Sequence, residues 1–155
     1  MTDEPKKEKK PGIPTGNAGE YFVMGELLRR GFDAQLADRN TQHYDILVGQ
    51  RGSRNFKPIQ VKSVMASPWL LSRASISGVN GDILTIYVLV GDQRAHKPIR
   101  YFMAKGGQVA AYAKGPESWK NHTSLNLKAL EPFENQWDTV RAYAEPVPSG
   151  VLSTG

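Results

Sequence analysis

Cysteine is absent from this chain of 155 residues, and its absence excludes several kinds of chemistry at once. A disulfide scaffold, a thiolate zinc site, an iron–sulfur cluster and a cysteine nucleophile all require that residue. A protein without thiols also suits a reducing compartment, so we expect a cytoplasmic location.

Long hydrophobic runs are also missing. The longest apolar stretch, residues 83–90, is far shorter than the roughly 20 residues that span a bilayer. The first ten residues are charged throughout, with no apolar segment of the kind found in secretory signals. We therefore expect no membrane partner, and we expect residues 83–90 to form a buried strand.

Acidic residues are scarce in the middle of the chain. Residues 46–116 contain ten Lys and Arg but only two acids, Asp82 and Asp92, for a net charge of +8. The flanking segments are slightly acidic, so the whole chain carries +5 with a pI near 9.5. A concentrated positive field favours a polyanionic partner such as nucleic acid, although a solvated basic face is the alternative.

The length predicts one domain. We expect a disordered basic tail over residues 1–14, the domain over 15–145 and a flexible tail over 146–155. The first predicted helix runs from Ala18 to Arg30, with Gly31 as its stop signal.

Strands and further helices follow in an order that predicts a mixed β-sheet flanked by helices, an α/β fold with the order α-β-β-β-(β)-β-β-α. The predicted strands are Ala34–Ala37, Asp45–Val48, Pro58–Val64, Trp69–Ser72, Ile83–Val90 and Arg100–Met103. The later predicted helices are Gly107–Lys114 and Asn135–Tyr143.

The second and third strands predict a hairpin that gathers polar groups. If Asp45 lies opposite Gln60, the centre of the turn falls between Gly52 and Ser53, where turn residues cluster. Residues directly opposed in an antiparallel pair share a face, and the period of two adds Lys62 to it. An acid, an amide and an ammonium group are therefore expected on one face.

Glu20 is a second candidate acid. It precedes Val23 by three residues and Leu27 by seven, so it shares the apolar stripe of the first helix. A carboxylate on an inner face is costly unless it is paired or bound to a metal. The alternative is structural, because Asn17 and Glu20 also fit a capping box at the start of the helix.

Three short segments resemble the PD-(D/E)xK nuclease superfamily, closest to its branch with group I intron homing endonucleases, where Gln replaces the second acid. They are residues 16–20 (GNAGE), 44–48 (YDILV) and 59–63 (IQVKS). Residues 87–90, 100–103 and 133–137 are similar to the later strand pair and closing helix of that branch. The resemblance implies a restriction-endonuclease-like fold.

The resemblance also implies an activity, a divalent-metal-dependent endonuclease that hydrolyses DNA. Asp45 and Glu20 would hold Mg²⁺ or Mn²⁺, Gln60 would replace the usual second acid, and Lys62 would be the lysine of the motif. The carbonyl of Val61 would supply a further oxygen ligand. Mg²⁺ takes one or two carboxylates and keeps several waters, so this set of ligands suffices.

Basic residues near the predicted site are candidates for phosphate contacts, with solvated loop charges as the alternative. Those beside the hairpin loop are Arg51, Arg54 and Lys57, and those around a later turn are Arg94, Lys97, Arg100 and Lys105. In so short a chain, cleavage of both DNA strands would require a homo-oligomer.

Two other functions stay open at this point. The neutral Gln60 is compatible with an inactive nucleic-acid-binding module on the same fold, and an interaction or inhibitor protein is the third possibility. The histidines lack the spacing of a zinc site, although His43 is expected to face the same way as Asp45. Tryptophans are expected in the core, and Trp69 is the best candidate among them for stacking on a base.

Overall fold

The computed structural model of the chain describes residues 12–38, 44–116 and 119–145. His43, residues 1–11 of the predicted N-terminal tail and the predicted C-terminal tail lie outside the described residues. The strands are β1 (Phe32–Leu36), β2 (Ile46–Gln50), β3 (Lys57–Val64), β4 (Trp69–Ser72), β5 (Leu84–Leu89), β6 (Arg100–Lys105) and β7 (His122–Leu125). The α-helices are α1 (Gly12–Arg29), α2 (Gly106–Val109), α3 (Leu127–Leu130) and α4 (Trp137–Ala144).

Five strands form one mixed sheet in the order β1-β2-β3-β5-β6. All neighbouring pairs are antiparallel except β3 and β5, which run parallel with Lys62 opposite Tyr87 and Val64 opposite Leu89. A parallel pair needs a long crossover, and here the connection contains β4 and two short 3-10 helices. This architecture confirms the predicted α/β fold with a mixed sheet and flanking helices.

Helix α1 begins at Gly12, six residues before the predicted start at Ala18. Pro14 is accepted because it lies in the first turn, where a backbone N–H has no partner within the helix. Asn17 consequently lies inside the helix, and the alternative in which Asn17 and Glu20 form a capping box is wrong. Gly31 does follow the helix as predicted, with a positive φ of 93° that favours glycine.

Two hydrophobic cores lie on opposite faces of the main sheet. On one face, Val23 and Leu27 of α1 pack with Val61 and Ile86. On the other face, Trp69 packs edge-on against Tyr87 and Phe102. Because side chains alternate along a strand, Gln60 and Lys62 belong to the second face, together with Tyr87.

A small two-stranded ribbon of β4 and β7 covers that second face. The predicted limits of β4 are confirmed, but its partner β7 and helix α3 were missed. The predicted helix at 107–114 is only one short turn, α2, followed by a 3-10 turn. No helix in the described ranges is long and apolar enough to cross a membrane.

Candidate catalytic site

Asp45 lies immediately before β2, where the regular pairing with β3 stops at Ile46 and Ile59. The backbone N–H of Asp45 donates to the carbonyl of Ile59 at 2.8 Å. Its carboxylate Oδ2 accepts a hydrogen bond of 2.8 Å from the N–H of Val61. Asp45 therefore bonds to β3 on both sides of Gln60, once through its backbone and once through its side chain.

This arrangement agrees with the register expected from the sequence. The pairing of Ile46 with Ile59 is the one implied by Asp45 opposite Gln60, and the turn is centred between Gly52 and Ser53 as predicted. Gln60 is 7% exposed, so its amide is nearly enclosed. The structure therefore brings Asp45 and Gln60 together at the open end of the β2–β3 hairpin.

Helix α1 approaches β3 closely at Gly19, the residue directly before Glu20. A Cβ added to Gly19 would overlap the Oγ of Ser63 and lie 3.7 Å from Val61 Cγ1, so only glycine allows the helix to come this near. The hydroxyl of Ser63 is buried and has no hydrogen-bond partner in the described part of the chain. Sequence reasoning gave Gly19 no structural role, although it directly precedes the candidate acid.

The two acids repel one another. Burial raises the pKa of the Glu20 carboxyl, and the nearby charge of Asp45 raises it further. Like charges held together disfavour ionisation unless a cation compensates them. The pair is thus an electrostatically unfavourable arrangement that a bound cation would relieve.

Lys62 lies two residues beyond Gln60 on β3 and shares its face of the sheet. Its backbone carbonyl accepts a hydrogen bond of 3.0 Å from Trp69 Nε1, which ties β4 to the candidate site. Lys62 is partly exposed, and none of the described acids forms an ion pair with it. Its ammonium group therefore remains available to a ligand.

The donor set fits a hard divalent cation of the magnesium type. Within residues 12–38, 44–116 and 119–145, no group of three or more His, Cys, Asp or Glu forms a metal cluster. Two carboxylates, an amide and a backbone carbonyl nevertheless suffice for Mg²⁺, which keeps several waters.

The basic residues divide between opposite ends of the sheet. Arg51 follows Asp45 by six residues, which corresponds to about 20 Å of extended strand. Arg51, Arg54 and Lys57 therefore lie toward the closed end of the hairpin, away from Asp45, and their contact with phosphates stays a prediction. The turn of a hairpin is remote from the residues at its open end, although the two are close in sequence.

Arg94 and Lys97 lie in the β5–β6 connection, which starts at the same end as the candidate site. The N–H of Val90 donates to the carbonyl of Val64 at 2.9 Å, just beyond Lys62 on β3. Arg100 is already engaged, because its guanidinium makes two hydrogen bonds of 2.8 and 2.7 Å to the carboxylate of Glu134. Lys105 lies at the far end of β6, opposite Leu84.

Two of the three tryptophans lie in the core, as the sequence predicts, and one does not. Trp69, the sequence candidate for base stacking, is 0% exposed and belongs to the core, as does Trp137. Trp119 is 40% exposed instead. Trp119 lies outside the regular helices and strands, so no periodic pattern in the sequence could predict its exposure.

Comparison with known proteins places the fold. No protein-family model matches this chain, and neither does any curated protein. Among solved structures, the bacterial homing endonuclease I-Ssp6803I is similar, with a TM-score of 0.56 and 11% identity over 93% of this chain and 99% of its own. Hjc, a Holliday junction resolvase from the archaeon Archaeoglobus fulgidus, has a TM-score of 0.53 and 16% identity over 82% and 95% of the two chains.

These similarities confirm the restriction-endonuclease-like fold implied by the sequence motifs. At such low identity they establish the fold alone, and both similar structures are nucleases.

Proposed function

We propose that this protein is a divalent-metal-dependent endonuclease that hydrolyses phosphodiester bonds in DNA. The observation that carries the proposal is the pair formed by Glu20 and Asp45, two carboxylates from different elements. The N–H of Val61 holds the Asp45 carboxylate at 2.8 Å, while burial raises the pKa of Glu20 and the charge of Asp45 raises it further. Such a pair is costly without a cation, and it lies at one end of a sheet whose fold is shared with nucleases.

The metal would be Mg²⁺, with Mn²⁺ as a substitute, held by Asp45 and Glu20 together with the amide oxygen of Gln60 and the carbonyl of Val61. A cation there would neutralise phosphate charge and acidify the attacking water. The hydrogen bond from Val61 N–H fixes the Asp45 carboxylate in advance, which reduces the entropy cost of assembling the site. A single ion is favoured because Gln60 adds no charge.

Lys62 would stabilise the negative charge that develops on the phosphate oxygens during attack. It lies on the same face as Gln60 and has no ion pair with any described acid, so its charge is free for this role. The amide of Gln60, almost fully enclosed, would orient a ligand or water rather than contribute charge. Arg94 and Lys97 would contact phosphates of the DNA next to the cleaved bond.

A plasmid-nicking assay with Mg²⁺ tests this assignment. Asp45→Asn keeps the size of the side chain and removes its charge, so we expect activity to fall by at least about 100-fold. Asp82→Asn removes an exposed carboxylate outside the site and provides a matched control with unchanged activity. Equal activity in both variants would contradict the site.

One observation favours a second candidate, a DNA-binding module without catalysis. Gln60 supplies no negative charge where the resembling superfamily usually has an acid, which weakens any metal site. This alternative predicts salt-dependent DNA binding and no cleavage with Mg²⁺ or Mn²⁺. Cleavage that depends on Asp45 would exclude it.

A further inference from the structure

A groove of about 440 Å³ lies on the β4–β7 ribbon, outside the candidate catalytic site. It is lined by Leu70, Trp119, Lys120, Asn121 and His122. Side chains alternate along β4, so Trp69 and Leu71 fill the core while Leu70 points outward and is 67% exposed. Because the inward residues already complete the core, Leu70 and the exposed Trp119 are not required for its packing.

Trp119 is held in place rather than left loose. Its backbone N–H donates to the carbonyl of Pro116 at 2.8 Å, and its backbone carbonyl accepts a hydrogen bond of 3.4 Å from Arg73 Nε. The indole packs against Gly115, where an added Cβ would lie only 3.0 Å from ring atom Cε3. An aromatic ring fixed by its surroundings loses little conformational entropy when a ligand binds to it.

The charged residues that the structure describes around this groove are positive. Arg73 and Lys120 are exposed beside it, and the described residues of the two segments that build the ribbon, 66–81 and 106–130, include no acid. Glu117 lies outside the described residues. A second copy of this chain is disfavoured as occupant, because a symmetric contact would bring identical cations together. A polyanion is favoured by the same charges.

The combination of an exposed indole, an apolar neighbour and cations matches the chemistry of single-stranded nucleic acid. Bases stack on aromatic side chains while the phosphates follow basic residues. In a duplex each base is stacked between its neighbours. An indole and a leucine side chain therefore find no free base face to pack against. We infer that the groove at Trp119 and Leu70 binds an unpaired base of the DNA substrate.

This inference rests on the proposed function and deepens it, since it specifies a substrate with unpaired nucleotides near the cleaved bond. The link to the site is direct: β4 begins at Trp69, whose indole N–H bonds to the carbonyl of Lys62. This hydrogen bond ties the start of β4 to β3 at Lys62, and Leu70 of the groove is the next residue along β4. A DNA strand bound at Lys62 would have its neighbouring nucleotides near the ribbon.

The test is a fluorescence titration of the full-length chain in EDTA, where no cleavage occurs. Trp69 and Trp137 are buried, so changes in emission caused by contact with a ligand report mainly on Trp119. A short single-stranded oligonucleotide should quench this emission, and the duplex of the same sequence should quench it far less. Trp119→Ala should lower affinity for the single strand about tenfold, whereas Trp119→Phe should retain most of it.

Matched controls separate stacking from charge. Tyr112→Ala removes another exposed aromatic residue that does not line this groove, and it should leave affinity unchanged. Lys120→Ala should weaken binding more than Arg54→Ala, which removes the same charge at the closed end of the hairpin. Inorganic polyphosphate should compete with the DNA without quenching Trp119.

Three results would overturn the inference: unchanged affinity in a folded Trp119→Ala variant, equal quenching by polyphosphate, or a dimer in light scattering that Trp119→Ala abolishes. These results are distinguishable from failure of the proposed function, because binding is measured without metal. Loss of nuclease activity in Asp45→Asn with no effect of Trp119→Ala on binding would refute the groove alone.

Discussion

The carboxylate of Asp45 and the backbone N–H of Val61 are joined by a hydrogen bond of 2.8 Å, just before β2 begins at Ile46 and beside the part of β3 that extends past it. The acid thereby takes a position that a longer β2 would have occupied with its own backbone. One carboxylate oxygen of Asp45 is thus held by β3, and the charge of this group raises the pKa of Glu20 beyond the effect of burial. The proposed site depends on β2 beginning only at Ile46, one residue after the acid.

Gly19→Ala should destabilise the protein and abolish activity. The new Cβ would overlap Ser63 Oγ and approach Ser63 Cβ to 2.7 Å, so α1 must move away from β3. Overpacking of this kind costs about 1–3 kcal/mol, measurable by denaturant unfolding. Gly25→Ala is the matched control, since nothing lies within 4 Å of its added Cβ, and it should stabilise the helix by about 0.5–1 kcal/mol.

Ser63→Gly should restore part of the stability and activity lost in Gly19→Ala, because it removes both atoms that obstruct the new methyl group. A double-mutant cycle measures this coupling as the departure from additivity. If the two substitutions were additive, the close approach of α1 and β3 would not be the reason for glycine at position 19.

Glu20→Gln should abolish metal-dependent cleavage yet raise the melting temperature of the metal-free protein. The substitution removes a partly buried charge that repels Asp45. Because Glu20 is only partly buried, we expect the free energy of unfolding to rise by only about a few tenths of a kcal/mol. The melting temperature should then rise by about 1–2 °C. Glu134→Gln should instead lower the melting temperature, because the Glu134 carboxylate pairs with Arg100, which lowers the pKa of Glu134.

The thermal advantage of Glu20→Gln should depend on pH. The pKa of Glu20 is higher in the folded than in the unfolded chain, so the folded state retains the proton to higher pH and stability falls as pH rises between the two values. The difference in melting temperature between variant and wild type should thus be largest above the folded pKa and vanish below the unfolded one. A difference that grew on acidification would contradict the assigned repulsion.

Arg94→Ala combined with Lys97→Ala should weaken DNA binding and cleavage more than Arg51→Ala combined with Arg54→Ala. Both doubles remove two positive charges, but only the first removes them at the end of the sheet that carries Lys62. Binding measured across a salt series should show a smaller salt dependence for the first double variant. If both double variants weakened DNA binding equally, the positive charges of residues 46–116 would attract DNA collectively, without a specific contact at Arg94 and Lys97.

Much of the site could be predicted because it depends on local rules. The period of two along β3 and the glycine–serine turn together fix the register that sets Asp45 beside Gln60. The start of α1 was missed because Asn17 gives a cap signal that the helix does not use. The pairing of β4 with β7 joins residues some fifty positions apart, and short strands so distant leave no local pattern.

The position of the cations relative to the site could not be predicted for a different reason. Sequence distance places Arg51 close to Asp45, but an extended strand separates them by about 20 Å. Arg94, which is remote in sequence, lies in a connection that begins at the site because β5 runs parallel to β3. Proximity within a sheet follows the direction of the strands rather than numbering.

The most direct test of the proposed metal site is anomalous scattering from a crystal of the protein soaked in Mn²⁺. We expect a peak within coordination distance of both the Glu20 and the Asp45 carboxylates, absent from crystals of Asp45→Asn treated in the same way. No peak in the wild-type crystal, or a peak that persists unchanged in Asp45→Asn, would contradict it.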